Sequence, residues 1–590
     1  RSCARRRRAA CGRRAPPRAR CGCRAAAAGM ASQCLAREEF SLSHEQGVVQ
    51  GVVLRAPGET PVPAVFVNCG CYGTLATTLE RAEGPTYATR GYAYVVVRAE
   101  GSRSAIADGV FARWRADARA VLDWLGLQPW CNGRVGAHGL SLLGNTAYAA
   151  LSASTEPGRG PGRALVRALV PAISFSRIQP TVFLWGNGLA AELAMRFLWL
   201  AEVGLRPGKL SGLQYLWAMF GFFGLPDWPG LESALSLRPV AAADEAIWGR
   251  PNALWRAGQR ARSPEDPYWR EGRDVQCDLA RLRQDCPPVH VIAGWHDIFL
   301  RQSLEDFAAA ARAAPEGARL TVYAGGHFGV ARERFADVSK ATLAWYDSHL
   351  RQDQAAGAAA GREAARPTRG RRVRMEVLNA EPGRWLACDA WPPPAAGAAE
   401  LFLQADGGGR SSGSLAFAAP QGEQRPLRYV YDPADPTPYA GGGWLNLRKD
   451  GPADQRPVEL RRKDVAVLSS PPLEEPLEVL GEVRAELFVA AGARECDLVA
   501  RLCVVRPPSG ALDYLDPLGL LDPGRLGLGR SLNVCEGLAR VSFAGDAERG
   551  GGPRSVEVSL GVTACRFNKG DRVRLHVCSA AHPRWLRHPL

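Results

Sequence analysis

Apolar positions along the first third of the chain follow two periods. Pro63–Asn68 (PAVFVN) and Tyr92–Arg98 (YAYVVVR) are short β-branched runs of the kind buried on both faces of a parallel sheet. Between them, Thr74–Arg90 has helical spacing and is closed by Gly91, the residue type favoured just past a helix end. Trp114, Ala118, Val121, Leu122 and Leu125 then fall on one face of a further helix. This alternation, from about Gly47 to Ala172, predicts a parallel sheet covered by helices on both sides. It breaks from about Phe175 to Pro287, where the chain is rich in Trp, Leu and Ala at helical spacing. It resumes with the strand Val289–Trp295 (VHVIAGW), a helix near Leu304–Ala314, the strand Arg319–Tyr323 (RLTVY) and a helix near Val338–Leu350. One α/β domain interrupted by a helical insertion accounts for both observations.

Past an Ala/Gly/Arg-rich connection at Gln354–Gly370 the texture changes to short alternating strands, such as Val483–Val489, Leu498–Val504 and Val573–Cys578, with Pro- and Gly-rich turns. Strands without intervening helices predict a sandwich or jelly roll. The expected domains are therefore a leader at 1–36, an α/β core at 37–174 and 288–353, a helical cap at 175–287, a linker at 354–370 and a β jelly roll at 371–590.

Charge changes this picture little. The 590-residue chain carries a formal +15, but residues 1–29 hold ten Arg and no acidic residue, which leaves +5 on the rest. A nearly neutral body argues against nucleic acid as a partner. The leader is read as sequence upstream of a start at Met30, with organelle targeting as the alternative. No apolar stretch of secretory-signal character follows it. The most apolar run, Leu213–Pro226, is shorter than the roughly 20 residues a membrane span requires. Twelve of the 16 cysteines lie beyond Met30 without a C-x-x-C pair, which predicts reduced thiols and a cytoplasmic location.

The literal G-x-S-x-G of Gly409–Gly413 sits in a Gly/Ser-rich turn and is rejected as a nucleophile elbow, because no strand and helix hold its serine. A better candidate is Gly139-Leu140-Ser141-Leu142-Leu143-Gly144, with a short strand leading in and a helix leading out. An elbow needs such small neighbours because its serine is held in a strained turn. Activating the serine requires a base and an orienting acid, and this fold orders them Ser, acid, His. Asp297 ends the strand VHVIAGW. His327 follows the strand RLTVY through Ala324-Gly325-Gly326. Both stand at carboxyl ends of strands, where α/β active sites gather. His138 and His296 are read as structural. The backbone N–H of Leu142 supplies one oxyanion donor, and Tyr72, in the loop Asn68–Gly73, is the candidate for the second, with a buried structural tyrosine as its rival reading.

At these residues the chain resembles the cocaine esterase and X-Pro dipeptidyl-peptidase group of α/β hydrolases, which includes α-amino acid ester hydrolases. That group has a G-x-S-Y-x-G elbow, a G-W-x-D acid motif, a helical cap between them and a C-terminal jelly roll of the galactose-binding-like kind. Also similar are Gly91-Tyr92-Ala93, Trp130-Cys131-Asn132-Gly133, Asp266-Pro267-Tyr268-Trp269-Arg270, Tyr431-Asp432-Pro433, Asp454-Gln455-Arg456 and Ser470–Val479. The resemblance implies Ser141 as nucleophile, Asp297 as acid, His327 as base and Tyr72 as oxyanion tyrosine. This chain departs from the group in having Leu142 where an aromatic is expected, Cys71 for a proline, and Arg98-Ala99-Glu100-Gly101 for D-x-R-G; the pattern also implies a little more sequence after Leu590.

The expected activity is therefore serine hydrolysis of a small-molecule ester, amide or short peptide, without cofactor or metal. X-Pro dipeptidyl-peptidase action is one alternative and a binding or scaffold protein without activity is another; homo-oligomerisation is left open. Substrate choice is expected to lie in the cap, whose apolar wall is drawn from Trp185, Phe197, Trp199, Trp217, Phe220, Phe222 and Trp248. Glu245, Glu265 and Asp266 are carboxylates that an ammonium-bearing substrate would need, although a solvated role is favoured for them.

Overall fold

The computed structural model of the chain describes residues 35–69, 75–98, 110–156, 163–185, 188–199, 230–261, 266–270, 277–351, 371–394, 397–405, 412–508, 529–543 and 552–588. A hairpin of β1 (Ala36–His44) and β2 (Gly47–Arg55) opens the chain. It is followed by β3 (Val62–Asn68), β4 (Ala93–Arg98), β5 (Cys131–Leu140) and β6 (Leu165–Ala172). The cap contributes a two-residue pair, β7 (Leu184–Trp185) and β8 (Gly188–Leu189). The core resumes with β9 (Val289–His296), β10 (Ala318–Gly326), β11 (Val373–Val377) and β12 (Arg384–Cys388).

All of these except the cap pair form one ten-stranded sheet in the order β1-β2-β4-β3-β5-β6-β9-β10-β11-β12. From β4 to β11 the neighbours run parallel, and the hairpin and β12 close the two edges antiparallel. Side chains alternate across it as a period of two requires. Ala93, Val95 and Val97 enter the cluster under helix Val110–Gly126, while Tyr92, Tyr94 and Val96 enter the cluster under helix Phe335–Leu350. The fold is that of an α/β hydrolase.

The segment expected as one helix over 74–90 divides into Leu75–Ala82 and Gly84–Thr89. Pro85 is the reason: its ring and missing N–H suit the first turn of a helix and not its interior. Gly91 has φ +77° after the second helix. Residues 373–388 also differ from expectation, for they pair on the catalytic sheet. Past β11, the Leu378 N–H donates to Ala564 O (2.8 Å) and the Arg566 N–H donates to Leu378 O (2.9 Å), so the same strand reaches the second domain.

That domain is a β-sandwich. One face is a six-stranded sheet, β13 (Phe402–Ala405), β14 (Ser412–Ala416), β15 (Val465–Ser469), β20 (Arg572–Cys578), β17 (Glu495–Val505) and β18 (Ser531–Ser542), in that order. The other is the long pair β16 (Leu477–Val489) and β19 (Arg554–Phe567). Gly409, Arg410 and Ser411 of the rejected motif lie outside the described residues; Ser412 and Gly413 begin a strand paired on both sides. Among the described residues no helix is long and apolar enough to cross a membrane, and the cysteines are free thiols.

Candidate active site

Ser141 stands between the end of β5 and the helix Leu142–Thr155, at φ 57°, ψ −126°, a backbone conformation costly for a residue with a side chain. The conformation is held on both sides. The Ser141 N–H donates to Ala172 O (2.9 Å), and Ser141 O accepts from the Gly144 N–H (2.9 Å). The flanking glycines are required by space. A Cβ on Gly139 would lie 2.4 Å from the Leu143 carbonyl carbon, and one on Gly144 would lie 2.5 Å from Ser174 Cβ.

The candidate acid and base, Asp297 and His327, arrive from neighbouring strand ends. Gly294, three residues before Asp297, admits the carbonyl of Gly325, which a Cβ would meet at 2.7 Å. This contact brings the β9 and β10 ends together. His327 Nε2 lies 2.9 Å from Ser141 Oγ, and His327 Nδ1 lies 2.7 Å from Asp297 Oδ1. His327 and Asp297 are buried (3% and 5% exposed), while Ser141 keeps partial access to solvent. The imidazole is flanked edge-on by Phe299 (5.2 Å between centroids) and Phe328 (5.5 Å). The apolar walls raise the strength of the polar chain inside them.

Several other imidazoles have partners of their own. His138 is hydrogen-bonded to Tyr346 (3.1 Å) and Glu83 (3.1 Å). Burial pushes His296 down to about 4. Burial, then the nearby Arg319 and His349, push His290 down to about 3. His576 is held by Glu459 at 2.9 Å in the sandwich.

Leu142 is the first residue of its helix, so its N–H has no carbonyl within the helix to bond. Tyr72 lies outside the described residues, but the strand before it ends against the elbow helix: Thr146 Oγ1 donates to Asn68 O (2.9 Å). In the cap, Phe197 is buried in the cluster that joins Leu142, Phe175 and Phe299 to Trp255 and Trp269. Trp199 and Trp248 pack on its margin; Trp217, Phe220 and Phe222 lie outside the described residues, as does the side chain of Trp185. Glu245 is exposed and paired with Arg256, and Asp266 accepts from the Tyr268 N–H (2.9 Å). Glu265 lies outside the described residues.

One residue at the site was not anticipated. Asp450, from the sandwich, accepts backbone N–H groups of His327 (3.0 Å), Phe328 (2.8 Å) and Gly329 (3.4 Å). Burial pushes its carboxyl up to about 6, against the opposing pull of His327 and the two shorter backbone bonds. No local signal marks it, since its partners stand more than 120 residues away in sequence.

Two family profiles match the chain in succession. The profile described as X-Pro dipeptidyl-peptidase (S15 family) covers residues 47–329, and that of the X-Pro dipeptidyl-peptidase C-terminal non-catalytic domain covers 367–589. The chain belongs to the X-Pro dipeptidyl-peptidase family of α/β hydrolases. It is a serine hydrolase. The cocaine esterase of Rhodococcus sp. (strain MB1 Bresler) is 27% identical over 570 residues, 90% of this chain and 88% of the relative. Among solved structures, an α-amino acid ester hydrolase superposes with a TM-score of 0.67 at 18% identity, covering 96% of this chain and 92% of its own. An aminopeptidase from a marine sediment Thaumarchaeota archaeon gives 0.65 at 18% identity, covering 94% and 90%. At such identities these two structures support the shared fold alone.

Proposed function

We propose that this family member cleaves carboxylic esters through an acyl-enzyme, with Ser141 as nucleophile, His327 as general base and then general acid, and Asp297 fixing the imidazole. The observation that carries the reading is the unbroken chain Ser141–His327–Asp297, with contacts of 2.9 and 2.7 Å. His327 takes the Ser141 proton as Oγ attacks the acyl carbonyl, then returns it to the leaving alkoxide; water repeats the cycle to free the acid. Negative charge on the tetrahedral oxygen is met by the Leu142 N–H, with the Tyr72 hydroxyl as the second donor, and the positive end of helix Leu142–Thr155 favours the same charge.

Ester over aminopeptidase-like action is favoured by three cap carboxylates among the described residues, each already committed to a partner. A substrate with a free α-ammonium needs an anion free to receive it. Glu192 is paired with Arg196, Glu245 with Arg256, and Asp244 accepts from the Asn252 N–H (2.7 Å) and from Arg256 Nε (3.0 Å). The test is a panel of p-nitrophenyl esters of increasing acyl length beside Gly-Pro and Ala-Pro p-nitroanilides, with Ser141→Ala as control. Ester turnover that Ser141→Ala abolishes is the expected result. Turnover of the anilides alone assigns the dipeptidyl-peptidase reading instead.

A further inference from the structure

The two sides of the catalytic triad are joined by a loop that belongs to the other domain. Residues 442–451 leave the sandwich and return to it, their ends closed by two backbone bonds: the Gly442 N–H donates to Gly451 O (2.6 Å) and the Gly451 N–H donates to Gly442 O (3.0 Å). Both glycines have positive φ, +77° and +94°, as a tight closure requires. Within the loop, the Asp450 N–H donates to Asn446 O (3.0 Å) and the Arg448 N–H donates to Asn446 Oδ1 (2.9 Å), so it is internally braced.

This braced loop touches the residue that follows the acid and the backbone of the base. Gly443 packs on Ile298, next after Asp297, so closely that a Cβ would lie 3.2 Å from Ile298 Cα. Leu445 joins the apolar cluster of Leu142, Ile298 and Phe299. Asp450 then receives the three successive N–H groups at the start of the short helix His327–Glu333. An independent observation points the same way. A Cβ on Gly326 would lie 2.2 Å from Asp450 Oδ1 and 2.4 Å from its other two carboxyl atoms, so the space beside the residue before the base is filled by this carboxylate. Gly326 itself has φ −91°, ψ −166°, which any residue adopts, so the glycine is there for the room that Asp450 takes up and not for its backbone freedom.

We propose that Asp450 is a positioning residue for the reaction: supplied by the sandwich, it fixes the backbone of His327 and thereby holds Nε2 on Ser141, which makes docking of the second domain part of the catalytic geometry. The proposal rests on the Ser141–His327–Asp297 reading. It does not make Asp450 a proton donor or acceptor, since its oxygens face backbone N–H groups and not the reacting atoms. A shift of about 1 Å in a reacting group costs on the order of 100-fold in rate while leaving binding surfaces in place. The expected signature is therefore a loss in turnover without a loss in affinity.

The experiment uses the full chain and a fluorophosphonate probe, with the saturating labelling rate and the half-saturating probe concentration measured separately. Asp450→Ala should lower the saturating rate about 10- to 100-fold with an unchanged half-saturating concentration. Asp450→Asn, which keeps an acceptor oxygen, should fall between it and the wild type. Gly326→Ala, on the other domain, should reproduce Asp450→Ala, because its methyl takes the carboxylate's place. The double variant should be no slower than Asp450→Ala alone, which is the coupling expected of two groups sharing one space. Thermal unfolding of each variant guards against a merely misfolded sandwich, and Gly326→Ala leaves the sandwich sequence untouched. Unchanged saturating rates in both single variants, or additive losses in the double, overturn the proposal. A wild-type chain that the probe does not label at Ser141 overturns the triad reading beneath it, a result recognisably different from either.

Discussion

Ser141 should make the protein less stable than a glycine at the same position. Its φ 57°, ψ −126° is a region where a side chain costs about 1–3 kcal/mol. Glycine is free of that cost but gives back about 0.4–1 kcal/mol through the greater freedom of its unfolded chain. Comparing Ser141→Gly with Ser141→Ala isolates the difference. Both variants lose the hydroxyl and its 2.9 Å contact with His327, so that loss cancels. The expected net is about 1 kcal/mol in favour of glycine, or about 2 °C in Tm for a catalytic unit of a few hundred residues. Urea unfolding followed by tryptophan fluorescence measures the midpoints, and amide exchange at Gly144 and Asn145 reports the elbow directly, since both N–H groups bond to Ser141 O. Both proteins should be inactive. A Ser141→Gly midpoint at or below that of Ser141→Ala would falsify the claim that the elbow stores strain.

Three further outcomes are expected. Asp297→Asn should keep the fold and lose on the order of 10⁴-fold in kcat, because the amide no longer holds His327 in the tautomer that accepts the serine proton; activity within tenfold of wild type refutes the assignment. Tyr72→Phe should cost about 10²–10³-fold in kcat with KM nearly unchanged, whereas a structural tyrosine would lower Tm and spare kcat. Burial holds His290 and His296 neutral in the fold, their values pushed from 6.5 down to about 3 and about 4, so the unfolded chain takes up protons first on acidification. The stability they contribute is present above pH 6.5 and drains away as pH falls towards 4 and then 3. A His296→Gln variant should flatten that acid limb in pH-dependent urea titrations, and an unchanged slope between pH 6 and 4 counts against it.

The parts of the candidate site carried by local pattern were legible in the sequence. Ser141, Asp297 and His327 each follow a run whose period marks a strand, and small residues beside each turn mark the close approaches that Gly139, Gly144 and Gly294 make. What a strand pairs with is a different matter. Residues 373–388 alternate like the sandwich strands after them, and nothing in that alternation says that β11 would lie along β10. The cap aromatics were equally opaque, because burial inside the cap and exposure to a substrate ask for the same residue types: Phe197 is packed away with Trp255. Asp450 was hidden for a related reason. A carboxylate in a Gly-rich loop reads as solvated, and only the closed fold brings the His327 helix to it.

The path of β11 has a consequence for how this protein can be divided. The stretch at 354–370 invites a cut that would release the catalytic domain on its own. Such a cut removes β11 and β12 from the sheet and strips the flank of β10, whose strand Ala318–Gly326 is largely buried and apolar. An uncovered strand of that composition offers a row of unpaired amides and carbonyls to any other chain. A fragment ending near residue 351 should therefore aggregate by edge-to-edge pairing, while one extended through Cys388 keeps its border covered.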